Sequence, residues 1–164
     1  MYSRKDTVWK LADFGLTSEA VGTLSTSKSR GTEGYCAPEL LLVLLGEKSV
    51  YSSKVDIWSI GCILFELAVC QKAFRHDFAT LQYRSSTEAL DIPLGESFSQ
   101  QCKEAISRNI RSMLGLTSSS RPSAAALENE FVRNFGSNEA LPHPSVHIRQ
   151  SFHQFEALSI DGNK

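Results

Sequence analysis

The chain has 164 residues, 41% hydrophobic and 21% charged, a balance that supports one sizeable core and argues for a single domain. Its net charge of −1 offers no basic surplus for nucleic acid or an anionic membrane. The polar start "MYSRKDTVWK" has no apolar signal core, and the longest uncharged apolar run, Leu40–Leu45, is six residues and too short to span a bilayer.

In chain order, Val8–Ala12 reads as a strand entered through a turn at Arg4–Thr7, with only residues 1–3 at hand to pair with it. Residues 16–30 are rich in hydroxyls, contain one glycine and show no periodicity, which predicts a long loop. "APELLLVLL" (37–45) has a proline where a helix can begin and leucines after it, so a short helix is expected. "GEKSVYSS" reads as a second loop. Residues 54–70, "KVDIWSIGCILFELAVC", give the strongest helix signal. Between Ile57 and Val69 only Ser59 and Glu66 are polar, so this helix is expected in the protein centre rather than at a surface.

A short helix is expected over 77–85. Over 99–114, Cys102, Ile106, Ile110 and Met113/Leu114 recur at three- and four-residue spacing, an amphipathic helix with Ser99 as its N-cap. A last helix starts near Ser123 and ends about Val132. The tail, 136–164, is polar with two prolines and one weak apolar stripe, Ile148, Phe152, Phe155 and Leu158. The expected class is therefore mainly α, with a first unit over 1–135 and a tail that is partly disordered or one short helix.

The four cysteines, at 36, 62, 70 and 102, form no C-x-x-C pair, and two fall within the apolar helix. They read as small core residues of a reduced, intracellular protein, cytoplasmic or nuclear, rather than a disulfide frame or zinc site. The histidines do not suggest metal either, since Pro144 separates His143 from His147.

Asp13-Phe14-Gly15 is uninformative as a lone tripeptide. It is followed, however, by "GTEGYCAPE" at 31–39, "VDIWSIG" at 55–61 and "SRPS" at 120–123. In order and spacing these motifs resemble the later part of a eukaryotic protein kinase domain, from about Val8 to about Val132. Gly31-Thr32 and Tyr35 resemble the serine/threonine branch, because tyrosine kinases usually carry a proline and an aromatic residue there.

The resemblance implies a kinase-like helical C-lobe with a remnant hairpin strand and no N-lobe. It implies ATP and Mg²⁺ as cofactors, with Asp13 binding the Mg²⁺ that bridges the ATP phosphates. Phe14 would pack against the core and Gly15 would give the backbone room to switch. Residues 16–30 would be the activation loop, with Ser25, Thr26, Ser27 and Ser29 as candidate phosphorylation sites. Thr32 matches a threonine that hydrogen-bonds near the catalytic centre. Tyr35 and Pro38 belong to the pocket beside the acceptor residue. Glu39 and Arg121 match a buried structural ion pair. Asp56 matches a carboxylate that accepts backbone N–H groups from the catalytic loop, with simple helix capping as the alternative. Trp58 and Gly61 match core packing.

A glycine-rich loop, the ATP-binding lysine and the H-R-D-x-x-x-x-N loop are not found in the 164 residues. By family spacing, the catalytic aspartate would precede Met1, and no catalytic residue is assigned within this chain. The implied function is a serine/threonine kinase acting on a protein substrate, with this chain a truncated C-lobe inactive alone. The alternative is a catalytically dead kinase-like module that docks a protein partner. Oligomeric state is left open.

Overall fold

The computed structural model describes Tyr2–Ser3, Val8–Trp9, Leu24–Thr26 and residues 31–135. As expected, the class is mainly α. Among the described residues four α-helices carry the fold: α1 (Lys54–Val69), α2 (Asp77–Ser85), α3 (Gln100–Met113) and α4 (Ala124–Phe135). Two small antiparallel sheets accompany them. Strand β1 (Tyr2–Ser3) pairs with β2 (Val8–Trp9), so residues 1–3 do supply the partner for the first strand.

The second sheet corrects two expectations. Strand β3 (Leu24–Thr26) arises inside the hydroxyl-rich stretch read as loop, and β4 (Ser49–Tyr51) arises inside the second predicted loop. They pair Leu24 with Tyr51, Ser25 with Val50 and Thr26 with Ser49. Three residues are too few to show an alternating pattern, so only long-range pairing reveals these strands. The predicted helix over 37–45 is present as a tighter 3-10 helix, Leu40–Leu45. It ends at Gly46, whose φ of 80° is the left-handed conformation a chain reversal favours. The Glu47 amide then donates to the Leu42 carbonyl at 3.1 Å, turning the chain back into β4.

The helix boundaries follow local chemistry. The Ser99 hydroxyl accepts from the Cys102 amide and caps α3, and the Ser123 hydroxyl accepts from the Ala126 amide at the start of α4. His76 caps α2 by accepting from the Ala79 amide through Nδ1 at 3.1 Å. Helix α1 ends at Cys70, a non-glycine residue at φ 59°.

The core forms where α1 meets α3 and the chain around α2. Ala37, Trp58, Cys62, Phe65, Phe74, Ile92, Ile106, Ile110 and Leu114 make one buried cluster. Gly61 allows the approach of the two long helices, because a Cβ there would lie 2.9 Å from the Met113 Cβ. The expectation that α1 is buried all round is corrected. Ile57, Trp58, Gly61, Cys62 and Phe65 are buried, whereas Ile60, Ile63 and Leu67 are 46%, 48% and 74% exposed. Composition alone shows no preferred face, and among the described residues α3 covers only one side.

The cysteine expectation also changes. Cys36 and Cys62 are buried and Cys102 is half-buried, but Cys70 is exposed. It lies at the helix C-cap, beyond the core-facing stripe. By compactness the chain divides into two units, Met1–Glu130 and Phe131–Lys164, with Leu127 of α4 buried in the first. The tail stripe at Ile148–Leu158 lies outside the described residues.

Candidate functional site

The segment 31–39 begins as an exposed rim and ends as a buried floor. Gly31, Thr32 and Glu33 are exposed; Gly34, Cys36, Ala37 and Pro38 are buried, with Tyr35 and Glu39 half-buried between them. The turn is closed by the Tyr35 amide donating to the Thr32 carbonyl at 3.1 Å. Gly34 is required by both geometry and space. Its φ is 84°, and a Cβ would lie 2.5 Å from the Phe74 carbonyl oxygen. Its amide donates to Asp77 Oδ1 at 2.9 Å, fixing the turn to the first residue of α2.

Tyr35 is held from three sides. Its hydroxyl donates to the Glu66 carboxylate, its carbonyl accepts from Ser59 Oγ at 3.0 Å, and the Lys72 ammonium lies 4.9 Å from its ring centroid. The bond to Glu66 favours the neutral phenol and, with burial, raises Tyr35 above its ordinary value. Cys36 sits beneath the turn, pushed up to about 11 by burial and then by the carboxylates of Asp77 and Glu33. A thiol so placed is unreactive at neutral pH.

The far end of the segment is clamped by Glu39 and Arg121, residues 82 positions apart. The guanidinium grips both carboxylate oxygens, Nη1 to Oε1 at 2.7 Å and Nη2 to Oε2 at 2.8 Å. Arg121 Nε also donates to the Gly115 carbonyl at 2.7 Å, and Nη1 to the Lys54 carbonyl at 3.0 Å. Lys54 Nζ returns a hydrogen bond to the Arg121 carbonyl, so the start of α1 and the turn before α4 hold each other reciprocally. Ser49 Oγ, fully buried, donates to the Glu39 carbonyl at 2.6 Å.

Trp58 joins the clamp to the core. It is fully buried and stacks on Phe74 at 5.5 Å, and the Arg121 guanidinium lies 5.0 Å from its ring. Asp56, in the first turn of α1, is exposed and makes no side-chain hydrogen bond among the described residues; partial desolvation raises its carboxyl from the ordinary range. Pro38 is fully buried, and Thr32 faces solvent.

The structure therefore brings Thr32, Tyr35, Pro38, Glu39, Arg121 and Trp58 into one continuous region. Ser25 and Thr26 fall in β3, away from residue 31 in sequence but in register with β4. Asp13, Phe14, Gly15, Ser27 and Ser29 lie outside the described residues. Among the described residues no group of three or more His, Cys, Asp and Glu side chains could hold a metal. The Mg²⁺ and ATP expectation accordingly stands on the motif at Asp13.

Sequence reasoning missed Glu66, Lys72, Asp77, Ser49 and Lys54 as supports of this segment. Their contacts cross long stretches of sequence, 10 residues from Ser49 to Glu39 and 67 from Lys54 to Arg121, so no short-range pattern announces them. The only local signal was that Lys54 opens the strongest predicted helix and Ser49 lies shortly before it.

Comparison with known proteins gives a consistent result. A family model for the protein kinase domain matches residues 1–132. The serine/threonine-protein kinase Nek3 of Oryza sativa subsp. japonica is 38% identical over 128 residues, 77% of this chain and 20% of the relative. The serine/threonine-protein kinase nekl-2 of Caenorhabditis elegans is 33% identical over 103 residues, 63% of this chain and 28% of the relative. The serine/threonine-protein kinase Nek8 of Danio rerio is 33% identical over 116 residues, covering 69% of this chain and 15% of the relative. The chain thus spans between about a seventh and just over a quarter of the length of these relatives.

Proposed function

Because the chain belongs to the protein kinase domain family, we propose that it forms the activation segment and helical lobe of a serine/threonine kinase, which moves the γ-phosphoryl group of ATP to protein hydroxyls. The observation that carries this reading is the 31–39 segment. Its rim is open to solvent while its floor is fixed to α1, α2 and Arg121, as a surface that must receive a peptide in one orientation requires.

In this reading Asp13 would hold Mg²⁺, which would supply charge neutralisation during phosphoryl transfer. Thr32 and Tyr35 shape the pocket beside the acceptor hydroxyl. Glu39, Arg121 and Trp58 hold that pocket rather than take part in chemistry. Phosphorylation within 23–29 regulates the segment. An ATP-dependent enzyme with protein substrates works inside the cell, and among the described residues no helix is long and apolar enough to cross a membrane.

Taken alone, the 164 residues carry one Mg²⁺-binding motif and no H-R-D motif. Mg²⁺ is held mainly through substrate phosphates and its own waters, so one carboxylate gives a weak site. The chain by itself is expected to show no turnover of Mg·ATP with a serine/threonine peptide library. Clear incorporation by the purified chain would overturn this part of the reading.

The docking-module reading is supported by one feature, the exposed stripe Ile60, Ile63 and Leu67 on α1. Three large apolar side chains on one helix face are unusual for a free surface. A native protein of 18.1 kDa, shown by intact mass, would favour this reading, and a heavier one the enzyme.

A further inference from the structure

We propose that Lys72 is a specificity residue: its ammonium selects protein substrates that carry an aspartate or glutamate close to the acceptor hydroxyl. The inference rests on the reading of the 31–39 segment as the surface that receives a peptide. It goes beyond that reading by naming the chemistry of one peptide side chain.

Lys72 is exposed and lies in the connection between α1 and α2. Its Nζ stands 4.9 Å from the centroid of the Tyr35 ring, which carries the charge from that connection to the wall of the segment. Tyr35 is itself fixed to α1, its carbonyl accepting from Ser59 Oγ at 3.0 Å and its hydroxyl donating to Glu66. A phenol that donates to a carboxylate has an electron-rich ring, whose face attracts a cation. The lysine is thereby placed over a fixed ring, so less side-chain freedom is lost when the ammonium takes a partner.

The ring orients the charge without cancelling it. Lys72 makes no hydrogen bond or ion pair with another described residue. Two acids at the segment are already engaged: Glu66 accepts from the Tyr35 hydroxyl, and Asp77 accepts from the Gly34 amide at 2.9 Å. The remaining charged side chains at the rim are Glu33 and Arg75, both exposed, the latter with its backbone against Gly34. These two are of opposite sign, which leaves Lys72 as the surplus. A peptide carboxylate beside Tyr35 would meet an ammonium already held in place. A peptide arginine there would meet a like charge, so the same residue attracts one class of substrate and rejects another.

The test is phosphoryl transfer by the protein purified from its own cells, in parental, Lys72→Met, Lys72→Arg and Lys72→Glu forms. The peptides share one serine acceptor and differ at a single flanking position, scanned in turn, which holds aspartate, asparagine or arginine. At one such position the parental protein is expected to favour aspartate over asparagine about three- to fivefold in kcat/KM, the size of an exposed charge pair. The preference should lie in KM rather than kcat, and added salt should shrink it. Lys72→Arg should keep it, Lys72→Met should abolish it, and Lys72→Glu should turn it into a preference for arginine. A purely structural role for Lys72 would instead lower kcat for every peptide alike and leave the aspartate preference in place in all variants. No aspartate preference in the parental protein, or one that survives in Lys72→Met and Lys72→Glu, overturns the inference while the kinase reading stands. No transfer to any peptide by the parental protein overturns both.

Discussion

Arg121 offers the sharpest test of how the pocket is held. Arg121→Ala deletes four hydrogen bonds, two to Glu39 and one each to the carbonyls of Gly115 and Lys54, and uncovers the face of Trp58. Summing bonds to a charged group at roughly 1.5–3 kcal/mol each would overstate the loss. The Glu39 side chain is 14% exposed and recovers some hydration once the partner is gone. The applicable magnitude is that of a buried pair broken from one side, about 3–5 kcal/mol. Against a total stability of about 5–15 kcal/mol this is a large fraction. Glu39→Gln should cost less, about 1–2 kcal/mol, because the guanidinium keeps both carbonyl acceptors and an amide oxygen. The double variant should fall short of the sum by about 0.5–3 kcal/mol. Urea unfolding followed by tryptophan fluorescence, in a Trp9→Phe background so that Trp58 reports alone, measures all three. A loss below about 1 kcal/mol for Arg121→Ala, or a Glu39→Gln loss of equal size, would refute the clamp.

Other expectations follow from the same geometry. Gly34→Ala places a Cβ 2.5 Å from the Phe74 carbonyl oxygen at positive φ, and thermal or urea unfolding should show a loss of about 2–3 kcal/mol. Gly61→Ala should also destabilise, by about 1–3 kcal/mol, although alanine favours the helix by about 1 kcal/mol; a net gain would mean that α1 and α3 can separate freely. Alkylation at pH 8 followed by mass spectrometry should label Cys70 first and leave Cys36 and Cys62 protected until unfolding. Burial pushes these two thiols from an ordinary 9.0 up to about 11 and about 12. Above pH 9 the unfolded chain therefore loses protons that the folded chain keeps, and stability should fall as pH rises from 9 toward 11 to 12. A stability curve flat across that range would place both thiols in water.

The parts of this fold legible in sequence were those set by local chemistry. Cys102, Ile106 and Ile110 mark one face of α3 by spacing alone, and Ser99 marks its start. Helix α2 was placed at its observed bounds, Asp77–Ser85. Strands β3 and β4 were not legible, because their identity depends on partners more than twenty residues away and neither is long enough to alternate. The burial of α1 was misjudged for a related reason. A helix apolar on every side declares that it is packed somewhere but not which face is covered.

At the site, motif resemblance singled out Glu39 and Arg121, and the structure places them in contact. It could not anticipate that Gly34 is held by Asp77, or Tyr35 by Glu66 and Lys72. Those partners are distributed over two helices and the turn between them, and no short-range pattern links them.

The central claim is that this chain belongs to an enzyme that phosphorylates serine and threonine with Asp13 as its Mg²⁺ ligand. Its most direct test is radiolabelled γ-phosphate transfer from Mg·ATP to a serine/threonine peptide library, by the protein purified from its own cells, in parental and Asp13→Ala forms. The account predicts incorporation on serine and threonine that falls more than about a hundredfold in Asp13→Ala. No transfer by the parental protein, or equal transfer by both forms, would contradict it.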